Sequence, residues 1–206
     1  MAYRRPEPLG KDHRLEEFDC GEPALDEWLK RHARGAHASG SARVFVTTLE
    51  DGEKVVAYYA LAAAQVAPEE ASARALKGQP RARPVPAILL ARLAVDRGHQ
   101  GAGLGRSLLQ DVLLRCLEAA EAIGAHVLLV HAKHDTAKSW YMQYGFEESP
   151  TDPLHLLMLL KDARAFLQRH GLASGSTARA CCPSEVEDQA EGVIDGAQLA
   201  CVEASC

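Results

Sequence analysis

The spacing of apolar residues changes character repeatedly along the chain, and each change predicts an element. Leu25, Trp28 and Leu29 recur at i, i+3 and i+4 behind Pro23, one buried stripe of a helix that Asp19 or Glu22 can start. A second short helical piece is expected over 31–38, stopped by Ser39-Gly40-Ser41. Arg43 to Leu49 is β-branched and aromatic, Glu50-Asp51-Gly52-Glu53 is turn chemistry, and Lys54 to Val66 reads as the returning strand of a hairpin. Residues 67–86 hold four of the ten prolines, Pro68, Pro80, Pro84 and Pro86, and are expected as a surface excursion with one helical turn.

Ala87 to Val95 is nearly all apolar, which predicts a central strand covered on both faces. A glycine-rich loop follows from Asp96 to Gly105. Leu104, Leu108, Leu109, Val112, Leu113, Leu117, Ala120 and Ile123 then keep helical spacing until Gly124, and His126 to Val130 reads as another buried strand. Strand, glycine-rich turn, long helix and strand make a βαβ unit. Asp135 can cap a helix carrying Ala137, Trp140, Tyr141 and Tyr144, ended by Gly145. Phe146 begins a short strand, Leu154 to Leu160 is the last strand, and a terminal helix is expected over 162–170.

Composition and charge divide the chain once. With 206 residues, 47% hydrophobic and 25% charged, it has room for one globular domain and a real core, which excludes fibrous and largely disordered classes. The net charge of −5 belongs to residues 173–206, where Arg179 faces Glu185, Glu187, Asp188, Glu191, Asp195 and Glu203. Residues 1–172 then hold 22 bases and 22 acids, so the acidic whole-chain balance does not exclude a polyanionic partner for that part. The expected division is a folded domain over 1–172 and an acidic, cysteine-bearing disordered tail over 173–206, with Cys181, Cys182, Cys201 and Cys206 in the tail. No apolar run follows Arg4-Arg5 as a signal peptide would need, and the longest one, Val55 to Ala64, is about half of the ~20 residues of a membrane span. A cytoplasmic protein is expected.

The candidate chemistry lies in Gln100-Gly101-Ala102-Gly103-Leu104-Gly105-Arg106. Glycines there let several backbone N–H groups converge on one anion where a helix N-terminus adds its partial positive charge. A tight strand-to-helix turn would use the same residues. The Rossmann spacing fails, because the glycines stand at G-x-G-x-G and His131 follows the next strand in place of an acid. A Walker loop fails because Gly105 is followed by Arg106 and Ser107.

The segment resembles the Q/R-x-x-G-x-G/A pyrophosphate loop of the GNAT acetyltransferases, filled by Gln100, Gly103 and Gly105, with Leu93-Ala94-Val95 before it and Trp140-Tyr141-x-x-Tyr144-Gly145-Phe146 after it. Phe18-Asp19-Cys20-Gly21, Leu25-Asp26-x-Trp28-Leu29, Arg43-Val44-Phe45-Val46, Leu90 to Asp96 and Ala137-Lys138-Ser139-Trp140-Tyr141 further resemble the GNAT toxins of type II toxin–antitoxin systems, over about residues 8–170. The resemblance implies an α/β (α+β) GNAT fold: a mixed, mostly antiparallel twisted sheet flanked by helices, with splayed central strands at the acetyl-CoA site. It implies an acetyl-CoA-dependent N-acetyltransferase that acetylates the α-amino group of aminoacyl-tRNA and blocks translation, a ribbon-helix-helix antitoxin as partner, and a homodimer. Other readings are a GNAT enzyme acting on a small amine or a protein N-terminus, and a non-catalytic CoA-binding or antitoxin-binding module.

Residue by residue, the resemblance assigns acetyl-CoA contacts to Leu93, Ala94 and Val95, to Gln100, Gly101, Ala102, Gly103, Leu104, Gly105 and Arg106, and to Ala137 and Lys138. Tyr141 matches the tyrosine that donates toward the departing sulfur, where the family commonly has Phe in the place of Trp140. Packing alone would also explain Tyr141, and solvation would explain Lys138. Arg92 either meets substrate phosphate or pairs with Asp96 or Glu27; Arg81 and Arg83 join it as candidate substrate contacts, with Arg31, Arg34, Arg43 and Lys77 nearby in a basic set. His131 and His134 have a spacing that can hold a metal, but a surface place beside the acceptor loop is the preferred reading, and no metal is expected.

Overall fold

The computed structural model describes residues 2–50, 52–80, 82–170 and 202–203. After a two-residue strand β1 (Glu7–Pro8), α1 (Pro23–Arg31) and α2 (Ala33–Ser39) lead into the hairpin of β2 (Arg43–Thr48) and β3 (Val55–Val66). A single turn, α3 (Ala73–Leu76), precedes the long strand β4 (Val85–Val95). Then follow α4 (Leu104–Ile123), β5 (Val127–His131), α5 (Asp135–Met142), β6 (Glu147–Glu148), β7 (His155–Leu159) and α6 (Leu160–Arg169). A last pair, β8 (Val202–Glu203), lies antiparallel to Arg92 and Leu93 of β4.

One sheet runs β1-β2-β3-β4-β5-β7-β6, parallel only between β4 and β5, as the βαβ unit requires. This is the mixed, mostly antiparallel sheet expected from the sequence. Its two faces carry different helices. Ile88, Leu90, Leu93 and Val95 pack with Leu104, Leu108, Leu109, Val112 and Leu113 of α4, whereas Tyr58, Ala60 and Ala94 pack with Leu25 and Leu29 of α1. A third cluster joins Ala71 and Ala75 to Val127, Leu129, Leu157 and Leu159.

The splay has a visible cause. β4 pairs with β5 from Ala87↔Val127 to Leu90↔Val130 and no further. At that point the β3–β4 register jumps from Leu61↔Leu90 to Ala60↔Arg92, leaving Ala91 as one extra residue in β4. Such a bulge bends the strand that carries it and increases its twist, so β4 follows β3 away from β5.

The opening segment adds a strand, since β1 pairs Glu7 with Val46 and Pro8 with Phe45 at the sheet edge, where a proline's missing N–H costs nothing. Two local expectations are corrected. β4 begins two residues early and includes Pro86. Asp135 does not cap α5: His134 does, its Nδ1 accepting the Ala137 N–H at 3.1 Å. The four tail cysteines lie outside the described residues, while Cys20 and Cys116 are buried. Burial pushes the Cys116 thiol up to about 12, which makes it inert.

Candidate active site

The site forms where β4 leaves β5, and the glycine loop stands at its α4 end. A 3-10 turn at Arg97–His99 follows β4, after which Gly101 and Gly103 take φ +75° and +77°. These left-handed conformations penalise any residue with a Cβ, and Gly103 is the N-cap of the 20-residue α4. A Cβ at either glycine would meet nothing within 4 Å, and Gly101, Ala102, Gly103 and Arg106 are exposed. The loop therefore offers bare backbone and a helix N-terminus to solvent, a fit for a phosphate group. Leu104 turns inward to the core and Gly105 is the second residue of α4. Burial raises the Tyr144 pKa, and the positive charge of Arg106 opposes that rise.

Tyr141 is fully buried on the α4 face, in one cluster with Leu93, Val95, Leu104 and Ala137. Trp140 and Phe146 meet its ring edge-on at 4.8 and 5.3 Å between centroids, which fixes the phenol against the α4 side of the splay. Ala137 is buried beside it, and the Lys138 ammonium is held by Glu148 at 2.8 Å. That ion pair ties α5 to β6.

The opposite face carries a different chemistry. The Arg92 guanidinium lies 5.3 Å over the Trp28 ring, and Trp28 stacks on Tyr58 at 6.0 Å with 13° between planes. Arg92 also donates to the Ala91 carbonyl. The two pairings weighed for it have other partners: Glu27 bonds Arg31, and the Asp96 carboxylate accepts from the Asp19 and Gly98 N–H groups. In the basic set, Arg34 is spent on the carbonyls of Gly10 and His13, each at 2.6 Å. Arg43, Lys77 and Arg83 are exposed, and Arg81 lies outside the described residues.

Several contacts of the site carried no sequence signal. Glu22, at the start of α1, bonds Lys133, just after β5. Gln100 does not project into the glycine loop; its amide donates to the Val95 and Cys20 carbonyls at 2.8 and 3.0 Å. These partners are 111 and 80 residues apart in the chain, beyond any local pattern. His131 stacks on His155 at 3.9 Å, and burial followed by the neighbouring His155 lowers its pKa.

The acetyltransferase (GNAT) domain family matches residues 40–148, spanning β2 through β6 and hence both splayed strands, the glycine loop and Tyr141. The chain belongs to the GNAT acetyltransferases. A GNAT enzyme takes its acyl group from acetyl-CoA, and the exposed glycine loop at the head of α4 suits that donor's phosphates. The chain is 48% identical over 166 residues to a tRNA-acetylating toxin of Mycobacterium tuberculosis (strain ATCC 25618 / H37Rv), covering 81% of this chain and 98% of that protein. Among solved GNAT structures, AtaT complexed with acetyl-methionyl-tRNAfMet superposes with a TM-score of 0.74 at 25% identity, over 80% of this chain and 99% of the other. An AtaT variant bound to the C-terminus of the antitoxin AtaR and acetyl-CoA superposes with a TM-score of 0.68 at 26% identity, over 81% and 99% of the two chains.

Proposed function

We propose that this GNAT enzyme acetylates the α-amino group of aminoacyl-tRNA and so blocks translation, as a toxin held in check by an antitoxin. The observation that carries this reading is the 48% identity extending over 98% of a tRNA-acetylating toxin. The antitoxin expected is of the ribbon-helix-helix type, the active form a homodimer, and the compartment the cytoplasm. Residues 1–172 are the catalytic unit of this reading.

The sheet divides the chemistry between its faces. Acetyl-CoA supplies an activated acetyl thioester at the splay. The glycine loop and the α4 N-terminus bind its phosphates, with Arg106 adding positive charge there. A backbone N–H within Leu93 to Val95 holds the thioester carbonyl and stabilises charge that develops on it. An α-amino group titrates at about 7.7–8.0, so a neutral fraction is present at pH 7 and no strong base is required. Tyr141 donates from the α4 face toward the departing sulfur. An ordinary phenol near pKa 10 is a weaker acid than a thiol near 8.5, so the hydroxyl acts as a positioned hydrogen-bond donor as much as a proton source. Arg92 meets the RNA backbone on the other face, and Arg81, Arg83 and Lys77 add positive charge for the same partner.

Induction in bacteria, with and without the neighbouring antitoxin gene, followed by mass analysis of tRNA-linked amino acids, tests the reading. Growth arrest relieved by the antitoxin, with acetylated aminoacyl adducts, is expected. Healthy growth without adducts overturns it, and acetyl transfer that persists after RNase treatment favours a small-amine acceptor instead.

A further inference from the structure

The end of β4 is braced in a way that the cofactor loop alone does not explain. Asp96 donates its N–H to the Val56 carbonyl, so that peptide group directs its N–H toward β3. Its C=O belongs to Val95, and in a trans peptide it points the opposite way, toward the side that β5 has vacated. In an extended strand a residue's N–H and C=O share a side, so the Val95 N–H faces the splay as well. With β5 gone, the Val95 carbonyl has no ladder partner there among the described residues, and the Gln100 amide bonds it at 2.8 Å. Both partners of that amide are carbonyl oxygens, which fixes its nitrogen as the group that faces them.

The second bond of the same amide reaches Cys20, in the loop that opens α1. That loop is fastened repeatedly to the end of β4. The Arg97 N–H donates to the Asp19 carbonyl at 2.8 Å, the Asp19 N–H to the Asp96 carboxylate at 3.1 Å, and the Asp19 carboxylate pairs with Arg97 at 3.4 Å. At Gly21, with φ +95°, a Cβ would come within 2.8 Å of the Arg97 guanidinium. On the other side Glu22 bonds Lys133 at the end of β5. Residues 19–22 thus bridge the mouth of the splay from β4 to β5, and α1, which carries Trp28, starts from this bridge.

We infer that Gln100 is a positioning residue for acyl transfer: by holding the Val95 carbonyl its amide fixes the backbone of Val95, the residue whose own N–H faces the thioester carbonyl, and locks it to the wall on which the acceptor docks. The inference rests on the acetyltransferase reading of the site but not on aminoacyl-tRNA being the acceptor. Its effect therefore falls on turnover and on the acceptor rather than on the affinity for CoA. Losing both donors tilts the Val95 N–H and loosens the α1 loop together.

The test compares Gln100→Met, similar in size but without donors, with Gln100→Arg, which keeps them. Binding of CoA is measured by calorimetry, and turnover by release of the CoA thiol from acetyl-CoA with aminoacyl-tRNA and, separately, with a small primary amine. Gln100→Met is expected to lower kcat about tenfold or more and to raise the acceptor KM, while the Kd for CoA stays within about threefold; Gln100→Arg is expected to restore most of the turnover. A loss of CoA affinity that accounts for the whole fall in kcat/KM, with acceptor KM unchanged, overturns the inference and makes Gln100 a phosphate contact. Failure of Gln100→Arg to restore turnover, in a variant that melts at the wild-type temperature, also overturns it. Wild-type turnover with the amine but not with aminoacyl-tRNA refutes the proposed acceptor and leaves the Gln100 comparison readable on the amine.

Discussion

The two halves of β4 are almost equally apolar and do different work. From Ala87 to Leu90 the strand is paired on both edges, whereas beyond Ala91 it keeps β3 and gives up β5. The first half is closed hydrogen-bonding structure sandwiched between side-chain clusters. The second exposes backbone donors and acceptors that need partners: the Gln100 amide takes one carbonyl, and β8 lies along Arg92 and Leu93. Catalytic capacity here comes from withholding a strand from a sheet, and the difference predicts that substitutions in the first half are felt as stability and those around the second as binding or rate.

The sharpest way to break this contrast is Leu90→Ala. Leu90 is fully buried at the last paired position, so its truncation is expected to cost about 2–5 kcal/mol of stability in denaturant unfolding, with turnover per folded molecule unchanged. Tyr141→Phe is the counterpart for the open half. It is expected to lower the transfer rate at least ~100-fold with CoA affinity and melting temperature retained, and a near-wild-type rate would return Tyr141 to a packing role. Gly103→Ala acts on the loop that follows. With nothing near the new methyl and φ at +77°, the cost is backbone strain of about 1–2 kcal/mol, read as a roughly tenfold weaker Kd for acetyl-CoA.

Removing residues 173–206 tests the division of the chain and the open half together. Melting temperature and acetyl transfer are expected to stay at full-length values, with acetyl-CoA binding as tight or tighter once the β4 edge at Arg92 and Leu93 is freed of β8; a fall in melting temperature or rate would make the tail part of the domain. The smallest expected effect lies beside β5. Burial holds the His131 pKa below its ordinary 6.5, so below pH 6.5 the unfolded chain binds the proton more readily than the folded one. Stability is then full above about pH 6.5 and is lost as pH falls toward the depressed value, and melting scans of His131→Phe should show a flatter acid limb.

Much of the fold was legible because its signals are local: the 3.6-residue period from Leu104 to Ile123, the turn that brings the Gly52 N–H to the Leu49 carbonyl, the glycines after α4 and α5. The glycine loop and Tyr141 were assigned through family resemblance, and the structure packs Leu104, at the end of that loop, and Tyr141 in one cluster on the α4 side. The split of β4 from β5 was not legible. A strand covered on both faces has no polar alternation, so Ala-Ile-Leu-Leu-Ala-Arg-Leu-Ala-Val carries no mark of where its register slips. Gln100 was assigned to the loop by motif, yet its side chain turns back to Val95 and to Cys20, a partner 80 residues upstream that no spacing could reveal. His134 took the capping role from Asp135 because a histidine nitrogen can accept the same N–H.

The extra residue at Ala91 also shifts the phase of β4. Ile88 and Leu90 project toward α4, and strict alternation would send the even-numbered Arg92 after them, among Leu108, Leu109 and Val112. Instead the odd-numbered Leu93 and Val95 take that side, and the Arg92 guanidinium comes to rest over Trp28. One inserted residue thus keeps hydrocarbon on the α4 side along the whole strand while turning a cation to the other. Strict alternation through Ala91 would exchange the two sides for every residue downstream, from Arg92 to Val95, and drive a charge into the core, whereas deleting Ala91 would leave those residues on their present sides and take away the bend that carries β4 from β5.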